Sequence, residues 1–149
     1  MRGERSRGSR ARRLLKVVLT PPLRLGLGPR NTYLLTVPGR RTGRLYTTPV
    51  TLVEQAGRPW LVAPFGEREW VKNARAAGAV ELRRGRTRLR CAVAEVSPAE
   101  RAPILRTYLE RVPIVRPFFD ARKGAPVEAF AAEAKRHPVF GLEPPPPLG

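Results

Sequence analysis

One cysteine, one histidine, one aspartate and three serines are all that 149 residues offer of several side-chain types most used in catalysis. Cys91, being alone, cannot form a disulfide within the chain, so nothing argues for an oxidising compartment. Cys91 and His137 together fall short of the four Cys or His ligands of a structural zinc site. A Ser-His-Asp site would need His137 and Asp120 to converge on a serine. Ser6 and Ser9 sit in a charged amino-terminal stretch, and Ser97 reads as a helix cap. No Gly-Lys-Ser/Thr occurs, which excludes a P-loop, and Gly26-Leu27-Gly28 has Asn31 where a dinucleotide fingerprint needs its third glycine. No segment reaches the roughly 18–20 apolar residues of a spanning helix. Catalysis, if present, falls to a bound cofactor.

Positive charge is what the chain has in excess: 29 Lys and Arg against 12 Asp and Glu, a formal net charge of +17. Such a balance points to an acidic partner, whether a phosphate-bearing cofactor, an anionic lipid surface or nucleic acid. Against nucleic acid, no recognisable module is present, and the two Trp, three Tyr and five Phe are scattered with no stacking platform. Residues 1–12 read as a disordered basic tail. The apolar run Leu14–Leu19, stopped by Pro21-Pro22, reads as a short helix, and residues 1–20 suit an anionic membrane surface. Arg12-Arg13-Leu14 resembles a twin-arginine export signal. The apolar run behind it is short and no A-x-A site follows, so the expected location is cytoplasmic, with membrane association as the variant.

From residue 31 the pattern becomes short strands and sharp turns. Tyr33–Val37 is a strand closed by Pro38-Gly39-Arg40-Arg41-Thr42-Gly43. Leu45–Glu54 is a second, and Ala56-Gly57 turns it into a third at Pro59–Ala63. Glu69–Ala77 carries Trp70, Ala74 and Ala77 at helical spacing and stops at Gly78. Two alternating strands follow around Gly85, each with one basic face. Ser97-Pro98-Ala99-Glu100 is a capping box opening a helix with Ile104, Leu105, Tyr108 and Leu109 on one side. Val112–Phe119 is irregular and apolar, Pro126 starts a last helix, and Val139-Phe140 adds a short strand. The predicted fold is α+β: a split, antiparallel β-barrel of about six strands with flanking helices, one domain over residues 13–143, and a Pro-rich disordered tail over 144–149.

Three stretches carry a family likeness: Leu35 to Arg44 with its Gly39-Arg40-Arg41-Thr42-Gly43 turn, then Tyr46-Thr47-Thr48-Pro49-Val50, then Val62-Ala63-Pro64-Phe65-Gly66 leading to Trp70-Val71-Lys72-Asn73. In this order and spacing the chain resembles the deazaflavin-dependent nitroreductase family of split-barrel proteins. The resemblance implies reduced coenzyme F420 as cofactor, with FMN as the substitute ring. It implies hydride transfer to a small organic acceptor: a quinone, an enone or a nitroaromatic. A membrane-associated lipid or fatty-acid binder of the same fold, without redox turnover, is the alternative, and a homodimer is left open.

The anionic end of the coenzyme suits Arg40 and Arg41 on a Gly-bounded turn, with the Thr42 hydroxyl beside them. Residues 39–90 hold twelve cations against four anions, a net of +8 around that turn. The resemblance places Tyr46, Thr47, Thr48, Pro49, Val50 and Thr51 along the deazaflavin ring. Val62, Ala63, Pro64 and Phe65 would form the opposing loop, with Trp70 and Asn73 on the helix beyond. The family's nitro-reducing members have a lysine where this chain has Phe65, and a tyrosine in the segment where this chain has Val112-Pro113-Ile114-Val115. Tyr46 and Tyr108 are left as groups to orient an acceptor, and no catalytic residue is assigned.

Overall fold

The alternation read from residue 31 onward folds into six strands. They are β1 (Thr32–Pro38), β2 (Leu45–Gln55), β3 (Arg58–Val62), β4 (Ala79–Arg84), β5 (Thr87–Glu95) and β6 (Val139–Glu143). This computed structural model describes residues 31–148, so the basic 1–12 stretch, the apolar Leu14–Leu19 run and the twin arginines lie outside the described residues. Every pairing is antiparallel, and the sheet closes in the order β1-β2-β3-β6-β5-β4. One face of each strand supplies the interior, including Leu35, Leu52, Leu61, Leu82, Cys91 and Phe140, all buried. The β2–β3 turn places Ala56 (φ 55°) and Gly57 (φ 73°) in the left-handed region, the twist a two-residue hairpin needs.

Helix α1 (Glu69–Ala77) buries Val71, Asn73 and Ala74 against the barrel and ends at Gly78, whose φ of 74° closes the last turn through an N–H bond to the Ala74 carbonyl. The capping box starts α2 (Pro98–Arg111), with Ser97 Oγ accepting from the Glu100 N–H at 3.4 Å. Along α2, Ile104, Leu105, Tyr108 and Leu109 build a second core outside the barrel. It takes in Val53 of β2, Val62 of β3 and Phe130 of α3 (Val127–Ala131). β2 is thus apolar on both faces where α2 covers it: Leu52 points into the barrel and Val53 out to the helix.

Three stretches differ from the sequence expectation. The strand expected at Val139-Phe140 runs to Glu143 and joins β3 to β5, closing the barrel. Its partners lie far away in the chain, so no local period announces it. The expected last helix breaks after Ala131 and resumes as a 3₁₀ turn at Ala134–Arg136. Between them Glu133 turns inward to accept from the Asp120 and Ala121 N–H groups. The Pro-rich end, expected to be disordered, is placed against the barrel: Tyr33 Oη donates to the Pro147 carbonyl at 2.5 Å, and Leu148 packs on the barrel core.

Candidate active site

The β1–β2 hairpin is a tight turn held from within. Gly39 N–H bonds the Arg44 carbonyl at 2.7 Å, Gly43 N–H bonds the Gly39 carbonyl at 2.8 Å, and Arg44 N–H bonds Thr42 Oγ1 at 3.2 Å. At Gly39 a Cβ would sit 2.9 Å from the Tyr46 ring, so any larger residue there must push that ring aside. Gly43, at φ 74°, takes a backbone conformation other residues resist.

The two arginines of this turn have different employment. Arg40 is clamped to α1: its N–H (3.1 Å) and its Nη1 (2.8 Å) both donate to Asn73 Oδ1, and Nη1 also reaches Glu69 Oε2 at 2.8 Å. Its side chain is 23% exposed, and it holds the Glu69 carboxyl below the usual carboxylate range. Arg41 is exposed and ion-pairs with no described residue. No described residue accepts from the N–H groups of Arg41 and Thr42 either. A free guanidinium, two unused backbone N–H groups and the Thr42 hydroxyl therefore gather at one corner, the donor set of an anion site. Asn73, buried, is the peg that presents them.

That corner opens into a cavity of about 760 Å³. The size lies within the range of small-molecule and cofactor sites. Its floor is β2, with Tyr46, Thr47, Thr48, Pro49, Val50 and Thr51 all contributing. Val62, Pro64 and Phe65 face them across the opening, and Trp70 and Asn73 close the α1 side. Ala63 is the one predicted site residue outside the lining; it is buried in the barrel core, and its N–H bonds the Pro138 carbonyl. Trp70 serves both uses considered for it, lining the cavity while packing 6.4 Å, ring to ring, from Phe140.

Sequence reasoning named part of the third wall, with Tyr108 as a group to orient an acceptor and the 112–115 segment by the tyrosine it lacks, but did not bring the two together. Tyr108 and Val112 at the end of α2, with Ile114 and Val115 of the following 3₁₀ turn (Pro113–Phe118), complete the cavity. Phe65 meets Phe118 edge to face, centroids 4.6 Å apart. The apolar composition of 112–119 was the available signal, but only packing of the 3₁₀ turn on the 62–65 loop brings it here. Tyr108 is 2% exposed and lines the cavity, and its hydroxyl bonds no described residue. Burial pushes its phenol above the ordinary tyrosine range, so it remains a donor at neutral pH.

The loop 62–65 is anchored from behind by a buried cluster. His137 Nδ1 lies 3.0 Å from the Pro64 carbonyl and Nε2 lies 2.8 Å from Glu133 Oε1, with Phe119 stacked on the ring at 4.1 Å. Asp120 pairs instead with Arg136, so the only histidine and the only aspartate form no catalytic pair.

The family model described as F420H(2)-dependent quinone reductase matches residues 23–118. The chain belongs to that family. F420H2-dependent quinone reductases are oxidoreductases, and the split barrel agrees with solved structures. One described as an F420-H2 dependent reductase (FDR-A) is 22% identical, at a TM-score of 0.52, over 78% of this chain and 96% of that one. A chain described as a domain-swapped dimer is 20% identical, TM-score 0.54, over 91% of this chain and 98% of that one. HutZ, the heme storage protein of Vibrio cholerae, is 12% identical, TM-score 0.52, over 91% and 92%. No curated protein matches. The donor set suits the family's coenzyme: the Arg41–Thr42 corner matches an anionic end, and the β2 floor with its apolar walls matches a flat ring. Among the described residues no helix is long and apolar enough to cross a membrane.

Proposed function

We propose that this F420H2-dependent reductase reduces a quinone-like acceptor with an apolar body. What carries the reading is the division of the cavity. Anion donors lie at the Arg41–Thr42 corner, and an apolar wall with one buried phenol donor lies at the α2 end. The reduced coenzyme, when bound, supplies a hydride. Arg41 and the turn N–H groups hold the anionic end, while β2 and the 62–65 loop set the plane of the ring. Phe65, Val112 and Val115 exclude water from the other side. Tyr108 Oη donates a hydrogen bond to the acceptor oxygen as negative charge develops there, and the one proton that completes the product comes from solvent. Ile114 (57% exposed) and Phe118 (39% exposed) extend the apolar surface outward, which suits an acceptor carrying an apolar substituent over a compact polar one.

The test is turnover of purified protein with F420H2 and a short-chain naphthoquinone, an enone or a nitroaromatic, followed by the return of the oxidised deazaflavin's absorbance. Quinone is expected to be the preferred acceptor. Tyr108→Phe should lower quinone kcat/KM by about 10- to 100-fold, as losing one buried donor to a charged oxygen does, with coenzyme affinity unchanged. Equal quinone turnover in that variant would refute the role of the phenol. Coenzyme FMN bound in preference to F420 would refute the cofactor, and tight fatty-acid binding without turnover would favour the lipid-binding alternative.

A further inference from the structure

His137 and Glu133, buried behind the cavity, take no part in the proposed chemistry. The ladder between β3 and β6 explains why a histidine stands there. Val62 lies opposite Val139, and in the same register the Ala63 N–H bonds the Pro138 carbonyl at 2.8 Å. The next donors are missing, because Pro64 on one strand and Pro138 on the other have no N–H. The Pro64 carbonyl is met instead by a side chain, His137 Nδ1 at 3.0 Å. Just beyond, the chain turns at Gly66 (φ 82°), where a Cβ would lie 3.1 Å from the Arg136 carbonyl. An imidazole thus replaces the backbone donor that would have held this end of the loop.

The same ring holds the other half of the apolar wall. Phe119 lies flat on it, centroids 4.1 Å apart and planes 17° from parallel, and Tyr108 packs 6.5 Å from Phe119. Glu133 Oε1 lies 2.8 Å from His137 Nε2, and the same carboxyl group accepts from the Asp120 N–H (3.1 Å) and the Ala121 N–H (2.7 Å). Phe65 follows Pro64 and Phe118 precedes Phe119. Each ring of the edge-to-face Phe65–Phe118 contact is therefore one residue from a group that His137 holds. The Pro64 carbonyl can only accept, so Nδ1 carries a proton. A second proton lies between Nε2 and Oε1, and on either atom it leaves the pair neutral, which suits exposures of only 4% and 3%.

We propose that His137 is a positioning residue for the acceptor: backed by Glu133, it fixes the Phe65–Phe118 wall at the distance from β2 that an acceptor stacked on the coenzyme ring needs. The proposal rests on the quinone-reducing reading given above. The Arg41–Thr42 corner is held separately, through Arg40, by Asn73 and Glu69 of α1. A shift of the wall therefore changes the acceptor's approach and leaves the coenzyme's anchorage alone. Misplacing a reacting group by about 1 Å costs about 100-fold in rate.

Two substitutions divide the bonds of the ring. An asparagine amide reaches the place of Nδ1 and a glutamine amide that of Nε2, so His137→Asn keeps the bond to Pro64 and His137→Gln the one to Glu133. His137→Gln should lower quinone kcat about tenfold or more, with quinone KM and coenzyme affinity, read by fluorescence quenching, within about twofold of wild type. His137→Asn should keep kcat within about threefold, although it leaves the Glu133 carboxylate short of a partner and is the less stable of the two in urea. A merely structural role makes the less stable variant the less active, and that order overturns the proposal. A loss of coenzyme affinity matching the loss of kcat also overturns it. Nitrogen-15 NMR of the untagged chain, whose only imidazole is His137, reads the bond without coenzyme or turnover, and so decides even if a variant fails to fold. A protonated Nδ1 is expected. Quinone turnover by a wild type with unprotonated Nδ1 overturns this role alone, whereas a protonated Nδ1 with no acceptor reduced overturns the proposed function and this role with it.

Discussion

Replacing Asn73 by alanine should unmoor the hairpin from α1. Asn73 Oδ1 takes two bonds from Arg40, one from its backbone N–H at 3.1 Å and one from Nη1 at 2.8 Å. A neutral bond of this kind is worth about 1 kcal/mol, and a bond to a charged group about 1.5–3 kcal/mol. Arg40 keeps Glu69 as a partner, and its side chain is 23% exposed, so water replaces part of the second bond. The lower end applies, and the expected loss is about 2 kcal/mol. In a chain this long that lowers the thermal midpoint by about 4–8 °C. Urea unfolding of Asn73→Ala, Arg40→Ala and the double variant gives the cycle, with an expected coupling of about 1–2 kcal/mol. A single variant within about 0.5 kcal/mol of wild type, or strictly additive effects, would refute the clamp.

Arg41→Glu should cost coenzyme affinity about tenfold or more while nearly preserving the thermal midpoint, because Arg41 forms no hydrogen bond or close ion pair with a described residue and only a screened attraction to exposed Glu69; a matching loss of stability would contradict that. Glu133→Ala strips the acceptor from His137 and from the Asp120 and Ala121 N–H groups, so calorimetry should find a loss of about 3–5 kcal/mol, and a loss below about 1 kcal/mol would show the cluster to be incidental. The Glu67 and Glu69 carboxyls are held below their ordinary value of 4.5, Glu67 by its hydrogen bond to Arg75 and Glu69 by its hydrogen bond to Arg40. Their contribution is present in full above that value and is lost as pH falls through the depressed ones. An acid titration of stability should therefore lose its Glu69 component in Arg40→Ala, and unchanged acid sensitivity would refute the assignment.

Local chemistry settled much of this protein before any fold was seen. The Gly39–Gly43 turn, the Ala56-Gly57 turn, the Ser97 cap and the Gly78 stop each depend on residues within a few positions of one another, so they can be read in a line of text. Alternation and turn residues marked five strands well. The shortage of catalytic side chains pointed to a borrowed cofactor.

Tertiary structure decided whatever depends on which distant surfaces meet. Nothing in Val139–Glu143 says that it joins β3 to β5, because its partners lie far off in the chain. Nothing near Arg40 says that Asn73 and Glu69 will consume it and leave Arg41 at the cavity's edge. In the sequence Tyr108 sits on the apolar side of its helix and is one of two tyrosines left to orient an acceptor. Only the packing of the 3₁₀ turn and the 62–65 loop around it makes it part of the cavity wall. Periodicity tells which face of an element is apolar; which other element covers that face, and which polar atom is left over, emerges only when the barrel closes.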